Sequence, residues 1–213
     1  EEDLINKTAE DLKNGNAIGW FQGRMEFGPR ALGARSILAD PRNRKMQKQL
    51  NLKIKFRESF RPFAPSVLEN KTKDWFQIEG FSPYMLLVAQ VKENKLEKKK
   101  ETDQGLSSIN RIRSSIPAVT HVDCSARVQT VNKKTNHIYH ELIDKFYSYT
   151  KVPILINTSF NIRGEPIVCT PKDAFKCFMG TNLDALVMNN FILEKNKQNK
   201  NLTLDYKREF KLD

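Results

Sequence analysis

Short apolar runs along this chain alternate with segments whose apolar residues recur every third or fourth position, so strands and helices interleave. Residues 4–14 read as a short helix, with Thr8 a candidate cap and Asp11 three places on. Ala17 to Gln22 is a strand, and Ser36 to Ala39 a second short apolar run. Asp40-Pro41 opens a helix, with carboxylate cap and proline first, and Met46 and Leu50 share one of its faces. Pro62 and Pro65 then hold the chain extended into Ser66-Val67-Leu68. Tyr84 to Val91 is the clearest buried strand of the first half.

The second half continues the alternation. Residues 93–108 are polar, charged and aperiodic, which predicts a mobile surface loop extending to about residue 110. Ala118 to Val122 and Val128 to Val131 flank a polar cluster. The best amphipathic helix is 136–150, with Ile138, Leu142, Phe146 and Tyr149 on one side. Val152 to Ile156 is a β-branched strand. Thr170-Pro171-Lys172-Asp173 is a capping box that starts a helix ending at Gly180. Ala185 to Met188 and Phe191 to Leu193 form a last hairpin-like pair. The class is α/β or α+β, with residues 1–194 as one domain and 195–213 as a loosely held basic tail.

Composition narrows the partners. Of 213 residues, 39% are apolar and 29% charged, which suits a water-soluble fold, and no apolar run approaches bilayer length. The chain begins Glu1-Glu2-Asp3 without an initiator Met, which reads as part of a longer chain with no secretory leader. Three widely spaced cysteines offer neither a zinc spacing nor a disulfide framework, and a reducing cytoplasm suits them. The net charge is +11. From Arg24 to Arg61 there are eleven Lys/Arg against three acids (Glu26, Asp40, Glu58), so the excess sits mostly in one region.

Four polar stretches carry candidate chemistry. Phe27-Gly28-Pro29-Arg30-Ala31-Leu32-Gly33-Ala34-Arg35-Ser36 sets two arginines between glycines, without an obvious acidic neighbour, as an anion-binding loop would. It matches neither the Walker loop nor the dinucleotide fingerprint. In Lys55-Phe56-Arg57-Glu58-Ser59-Phe60-Arg61, alternate side chains of an extended chain place Lys55, Arg57 and Arg61 toward one pocket, with Phe56 and Phe60 as anchors. His121-Val122-Asp123-Cys124-Ser125-Ala126-Arg127 follows an apolar strand; His121 and Arg127 read as anion or metal contacts, while i,i+2 spacing argues against a His121–Asp123 dyad. Asn157-Thr158-Ser159-Phe160-Asn161-Ile162-Arg163-Gly164-Glu165-Pro166 gathers hydroxyl and amide donors at a strand end.

These stretches, in this order, resemble the C-terminal part of the O-carbamoyltransferase family, the tobramycin and cephamycin carbamoyltransferase and nodulation protein U group. The matching residues are 23–33, 35–42, 55–65, 121–123, 126–131 and 157–168. Lys55-x-Arg57 and the turn from Ser159 to Asn161 also resemble loops of YrdC, the threonylcarbamoyl-adenylate synthase. The resemblance implies a YrdC-like twisted mixed sheet with flanking helices and a basic concave cavity for ATP and carbamoyl phosphate. It implies carbamate attacking the α-phosphorus of ATP, giving carbamoyladenylate and pyrophosphate, with Mg2+ as a candidate companion of the nucleotide and no resident metal site in this part. Lys55, Arg57 and Arg61 are the implied catalytic residues. Arg30, Arg35, Ser36, His121, Arg127, Asn157, Ser159, Asn161 and Arg163 are the implied substrate contacts. The family's actin-like N-terminal domain, which carries an iron site and transfers the carbamoyl group, has no counterpart in these residues. Cys124-Ser125 departs from the family, which has glycine followed by a hydroxyl residue there.

Two rival readings remain at this level: an RNA-binding YrdC-like module, and threonylcarbamoyl-adenylate synthesis. Aromatics are not interleaved with the basic residues as a base-stacking platform requires, so nucleic acid is the less favoured partner.

Overall fold

A computed structural model describes residues 1–98, 111–199, 202 and 210. Its framework is a nine-stranded mixed sheet. The strands are β1 (Ile18–Phe21), β2 (Arg35–Ala39), β3 (Ala64–Leu68), β4 (Phe76–Gln77), β5 (Leu87–Val91), β6 (Ser125–Val131), β7 (Ile154–Ser159), β8 (Ala185–Met188) and β9 (Phe191–Glu194). Their order across the sheet is β4-β5-β6-β3-β7-β2-β1-β8-β9. The β1/β8 and β3/β6 pairs are parallel and the rest antiparallel.

Helices cover both faces, so the central strands read as continuous apolar runs. Along β7, Ile154 and Ile156 enter one core and Leu155 the other. Along β2, Ile37 and Ala39 enter the first core and Leu38 the second. The first core also holds Met46 and Leu50 of α2 (Met46–Lys53) and Ala174, Cys177 and Phe178 of α5 (Pro171–Gly180). The second lies beneath α1 (Glu2–Lys13) and α4 (His137–Thr150), where Leu4, Leu12, Leu142 and Phe146 meet Trp20. A short α3 (Thr72–Trp75) precedes β4. Asn136 caps α4 by accepting from Tyr139 N–H, and Thr170 and Asp173 form the reciprocal capping box of α5, with Pro171 at its first position.

Several local expectations fail for identifiable reasons. Thr8 lies buried inside α1, where its hydroxyl donates to the Leu4 carbonyl, so it back-bonds within the helix instead of capping it. Asp40 opens no helix: its carboxylate grips the Arg42 guanidinium at 2.6 Å and accepts the Arg42 N–H, and α2 starts only at Met46. The stretch from Tyr84 to Val91 is not a buried strand. Tyr84, Leu86, Leu87 and Val88 are exposed, Met85 takes a left-handed φ of 56°, and pairing begins at Leu87. The segment 55–61 is not extended either, since Phe56 has φ 49°.

The ends of the expected mobile loop pair with each other: Glu97 N–H donates to Arg113 O, and Ser115 N–H to Lys95 O. Residues 99–110 lie outside the described residues, as does most of the tail. Described residues of that tail contact the body of the fold. The Lys195 ammonium bonds the Phe178 carbonyl, the Lys195 backbone N–H donates to the Asp184 carbonyl, and Phe210 packs against the first core.

Candidate functional site

Where β7, β2 and β3 run side by side, the C-terminal end of β7 and the loops leading into β2 and β3 surround a small cavity of about 150 Å³. Its walls include Arg30 and Ala31 of the first glycine loop, Arg57 and Phe63, Met85, Arg127 of β6, and Asn157, Thr158 and Ser159 of β7. Three guanidinium groups and no carboxylate line it. The Nε of Arg30, the Nε of Arg127 and the Oδ1 of Asn157 are buried there without a hydrogen-bond partner. Buried polar atoms are almost always paired, so the two Nε donors are set for a ligand that brings acceptors and the amide oxygen for one that brings a donor.

The electrostatics agree. Burial, then the neighbouring Arg30 charge, pulls the Arg127 pKa down. Burial and then Arg61 pull Arg57 down, against the opposing pull of Glu58. Arg30 thus raises the cost of the Arg127 charge and Arg61 that of Arg57, and an anion entering the cavity relieves both Arg127 and Arg57.

The glycine loop is shaped from within. Glu26 does not pair with either loop arginine; its carboxylate accepts the N–H groups of Leu32 at 2.6 Å and Ala34 at 2.7 Å. Gly33, at φ 109°, presses on Tyr139, where a Cβ would meet the ring at 2.3 Å. Asn157 donates to the Ala31 carbonyl and to Gln129, which in turn donates to the Leu32 carbonyl. Arg30 is thereby delivered to the cavity by a loop that has little freedom.

Beside this wall, Lys55 is fully enclosed beneath the turn that follows β7. Its ammonium donates to the carbonyl and hydroxyl of Ser159 and to the carbonyl and side-chain oxygens of Asn161. Burial, with Arg57 nearby, lowers its pKa to about 7, against the opposing influence of Cys177 and Glu165. Asn51, missed in the sequence, steers Arg57 by accepting from its Nε at 2.6 Å. An Asn six residues before an Arg, across a helix end, gives no sequence signal of that kind.

The expected site residues therefore divide. Arg30, Arg57, Arg127, Asn157 and Ser159 line one cavity, and Lys55 and Asn161 support its floor. Arg35 and Ser36 lie elsewhere: Arg35 donates to the carbonyls of Gln22, Gly23 and Ala34 and stacks 3.5 Å over Phe21, while buried Ser36 accepts from Gly33 N–H. Arg61 is half exposed and pairs with Glu58 at 2.9 Å, because the loop is not extended and alternation does not apply. Phe60, expected as an anchor, is 60% exposed. His121 and Arg163 are not among the cavity-lining residues. Burial lowers the His121 pKa, with Asp123 opposing and Arg127 adding to the fall. Asp123 turns its carboxylate to the N–H and hydroxyl of Ser125, which leaves Cys124 at φ 65°. A left-handed backbone there explains why glycine is the expected residue.

One carboxylate–imidazole group among the described residues escaped the sequence reading: Glu1, His137 and Glu141 have ligand atoms within 4.8 Å of one another. It is largely exposed and lies in a larger groove, about 660 Å³, between α1 and α4 that shares no lining residue with the arginine cavity. No described helix is long and apolar enough to cross a membrane.

Comparison with known proteins places this arrangement. Residues 9–195 match the family described as carbamoyltransferase C-terminus. The chain belongs to that family. It is 55% identical over its whole length to an uncharacterized protein of Synechocystis sp., covering 35% of that protein. It is 43% identical to nodulation protein NolO of Bradyrhizobium diazoefficiens, with 91% of this chain and 33% of NolO aligned. Nodulation protein U of Sinorhizobium fredii is 37% identical, over 83% of this chain and 28% of its own length. The chain thus spans about a third of the curated relatives it matches. Among solved structures, Sua5 of P. abyssi, complexed with L-threonine, superposes with a TM-score of 0.60 at 15% identity, over 89% of this chain and 47% of Sua5. Full-length HypF, in a phosphate- and nucleotide-bound form, superposes at 0.53 and 16% identity, over 87% of this chain and 21% of HypF. The fold is YrdC-like.

Proposed function

We propose that this carbamoyltransferase C-terminus forms carbamoyladenylate from ATP and carbamoyl phosphate in the arginine-lined cavity, as part of an O-carbamoyltransferase. The observation that carries the reading is the convergence of Arg30, Arg57 and Arg127 on one hollow without a lining carboxylate, two of them with buried, unpartnered Nε donors. Family membership and the nucleotide named for HypF support it.

The chemistry suits such a cage. Water hydrolyses carbamoyl phosphate to carbamate and inorganic phosphate. A carbamate oxygen then attacks the α-phosphorus of ATP, the bond to the β-phosphate oxygen breaks, and pyrophosphate leaves. Carbamate is already an anionic nucleophile, so positioning and charge stabilisation matter more than a general base. Bringing two polyanions together is opposed by Coulomb repulsion, which fixed guanidinium groups offset. Arg57 and Arg127 hold the reacting α-phosphate and carbamate, Arg30 the adjoining oxygens, and Ser159 forms the wall beside them. Mg2+ would accompany ATP as counter-charge to the leaving pyrophosphate. Transfer to an acceptor hydroxyl falls to the remainder of the longer protein, the actin-like domain of the family.

The test is pyrophosphate release from ATP by the intact protein. It is expected to require carbamoyl phosphate. Release supported instead by threonine and bicarbonate would assign threonylcarbamoyl-adenylate synthesis. No release, together with salt-sensitive RNA binding in a gel shift, would assign the nucleic-acid reading.

A further inference from the structure

The turn from Ser159 to Gly164 has a second support that no expected site residue supplies. Glu165 is 8% exposed, and its carboxylate accepts the Ile162 N–H at 2.8 Å. Its carbonyl accepts the Asn161 side-chain N–H at 2.6 Å, and its own N–H donates to the Ile162 carbonyl. Asn161 then presents its oxygen to both Lys55 and the Ser159 hydroxyl. Lys55 also reaches the turn through its backbone, since Arg163 N–H donates to the Lys55 carbonyl. The turn is clamped between a buried ammonium on one side and a buried carboxylate on the other.

We propose that Glu165 is a positioning residue of the adenylate-forming site, holding the Ser159–Asn161 turn in place through the Ile162 N–H and the Asn161 amide and supplying the turn's buried negative charge opposite the Lys55 ammonium. This inference rests on the adenylation reading above. The direct contacts of Lys55 are neutral oxygens. The charged and titratable groups acting on it are Arg57 from its own loop, which disfavours its charge, and Glu165 and Cys177, which favour it. Cys177, buried in α5, has its thiol pKa pushed well up by burial and by Glu165, so it stays neutral and supplies no charge near neutrality. Glu165 alone of these three is left to offset the burial of Lys55 with negative charge. Loss of that charge would let Lys55 deprotonate, weaken its hold on four oxygens and release the turn that aims Ser159 at the cavity.

Glu165→Gln in the intact protein separates the two functions, because the amide oxygen still accepts from Ile162 N–H while the charge is gone. The readout is kcat/KM for ATP in carbamoyl-phosphate-dependent pyrophosphate release, followed from about pH 5.5 to about pH 9. The alkaline limb is expected at lower pH than in wild type, so that activity at about pH 8 falls roughly tenfold while activities converge at the acid end. An equal loss at every pH, or an unshifted limb, overturns the proposal. If Glu165→Gln melts before assay, Glu165→Asp decides: it retains the charge but not the reach, so a wild-type limb with a raised KM is expected and a shifted limb overturns the idea. Wild-type protein that releases no pyrophosphate sinks the adenylation reading instead. The unfolding free energy of Glu165→Gln against pH then tests the coupling alone, its rise expected to begin at lower pH than in wild type and an unmoved rise overturning it.

Discussion

The Lys55 ammonium sits 2.8 Å from the side-chain oxygen of Asn161 and 2.9 Å from its backbone carbonyl, joining two loops that lie 106 residues apart. A lysine expected to contact substrate is enclosed beneath the Ser159–Asn161 turn, its ammonium bonded to four oxygens of that turn. Replacing it with methionine keeps much of the volume and removes the donors. Lys55→Met is expected to lower kcat/KM for pyrophosphate release about a hundredfold, a loss of the size seen when a preorganised donor is removed. Near-wild-type kinetics in a folded Lys55→Met protein would show that the turn holds without it.

The same lysine makes stability depend on pH. Its pKa falls from 10.5 in the unfolded chain to about 7 in the folded one, through burial first and Arg57 second. Between those values the unfolded state binds more protons than the folded state, so stability rises with pH across that window. Below about pH 7 both states are protonated and the cost of the buried charge stands in full; above 10.5 the gain is complete. Urea unfolding at stepped pH checks this. Lys55→Met is expected to remove that rising component, and an equal slope in both proteins would contradict it.

Arg127 and Arg61 separate the cavity from its surroundings. Arg127 lines the hollow with a buried, unpartnered Nε, whereas Arg61 is half exposed on Glu58. Arg127→Gln is expected to cost about a hundredfold in kcat/KM. Arg61→Ala, which breaks only an exposed ion pair, should stay within about threefold. The reverse ranking would move the site to the surface side of the 55–63 loop.

Cys124 occupies left-handed backbone at φ 65°. Cys124→Gly is expected to stabilise the protein by about 1 kcal/mol, since relief of the Cβ strain exceeds the extra entropy glycine brings to the unfolded chain. Thermal melting at fixed pH reads this, and a lower melting temperature would show that the turn from His121 to Ser125 does not strain the residue.

Gly33 makes the opposite case. A methyl group there collides with Tyr139, at a φ of 109° where side chains are rarely found. Gly33→Ala is expected to lower stability by about 2–3 kcal/mol and to displace Arg30, so that the KM for ATP rises as well. Unchanged melting and KM would mean that Tyr139 yields freely.

Much of the fold was legible because both helix and strand periods were clean. Residues 136–150, the capping box at Thr170 and the run from Val152 to Ile156 all appear close to where their patterns place them. The failures came where a side chain chose a competing partner: Asp40 took Arg42 instead of a helix terminus, and Thr8 took the Leu4 carbonyl. At the site, residue types were readable but directions were not. Spacing cannot reveal that Phe56 adopts φ 49°, which turns Lys55 inward and leaves Arg61 at the surface. Nor can it tell a guanidinium aimed at a ligand from one, like Arg35, spent on backbone carbonyls. Glu165 and Asn51 act through other residues, and positioning groups leave no motif of their own.

The central claim is that a carbamate oxygen bonds to the α-phosphorus of ATP in the cavity of Arg30, Arg57 and Arg127. Carbamoyl phosphate labelled with oxygen-18 in its carbonyl group, incubated with ATP and the intact protein, tests it most directly. Carbamoyladenylate that hydrolyses at its carbonyl carbon leaves the bridging oxygen on AMP, and since either of the two equivalent carbamate oxygens attacks, oxygen-18 in about half of the AMP is the predicted result. Pyrophosphate accompanied by AMP without the label would mean that water, not carbamate, attacks phosphorus, and would contradict the account.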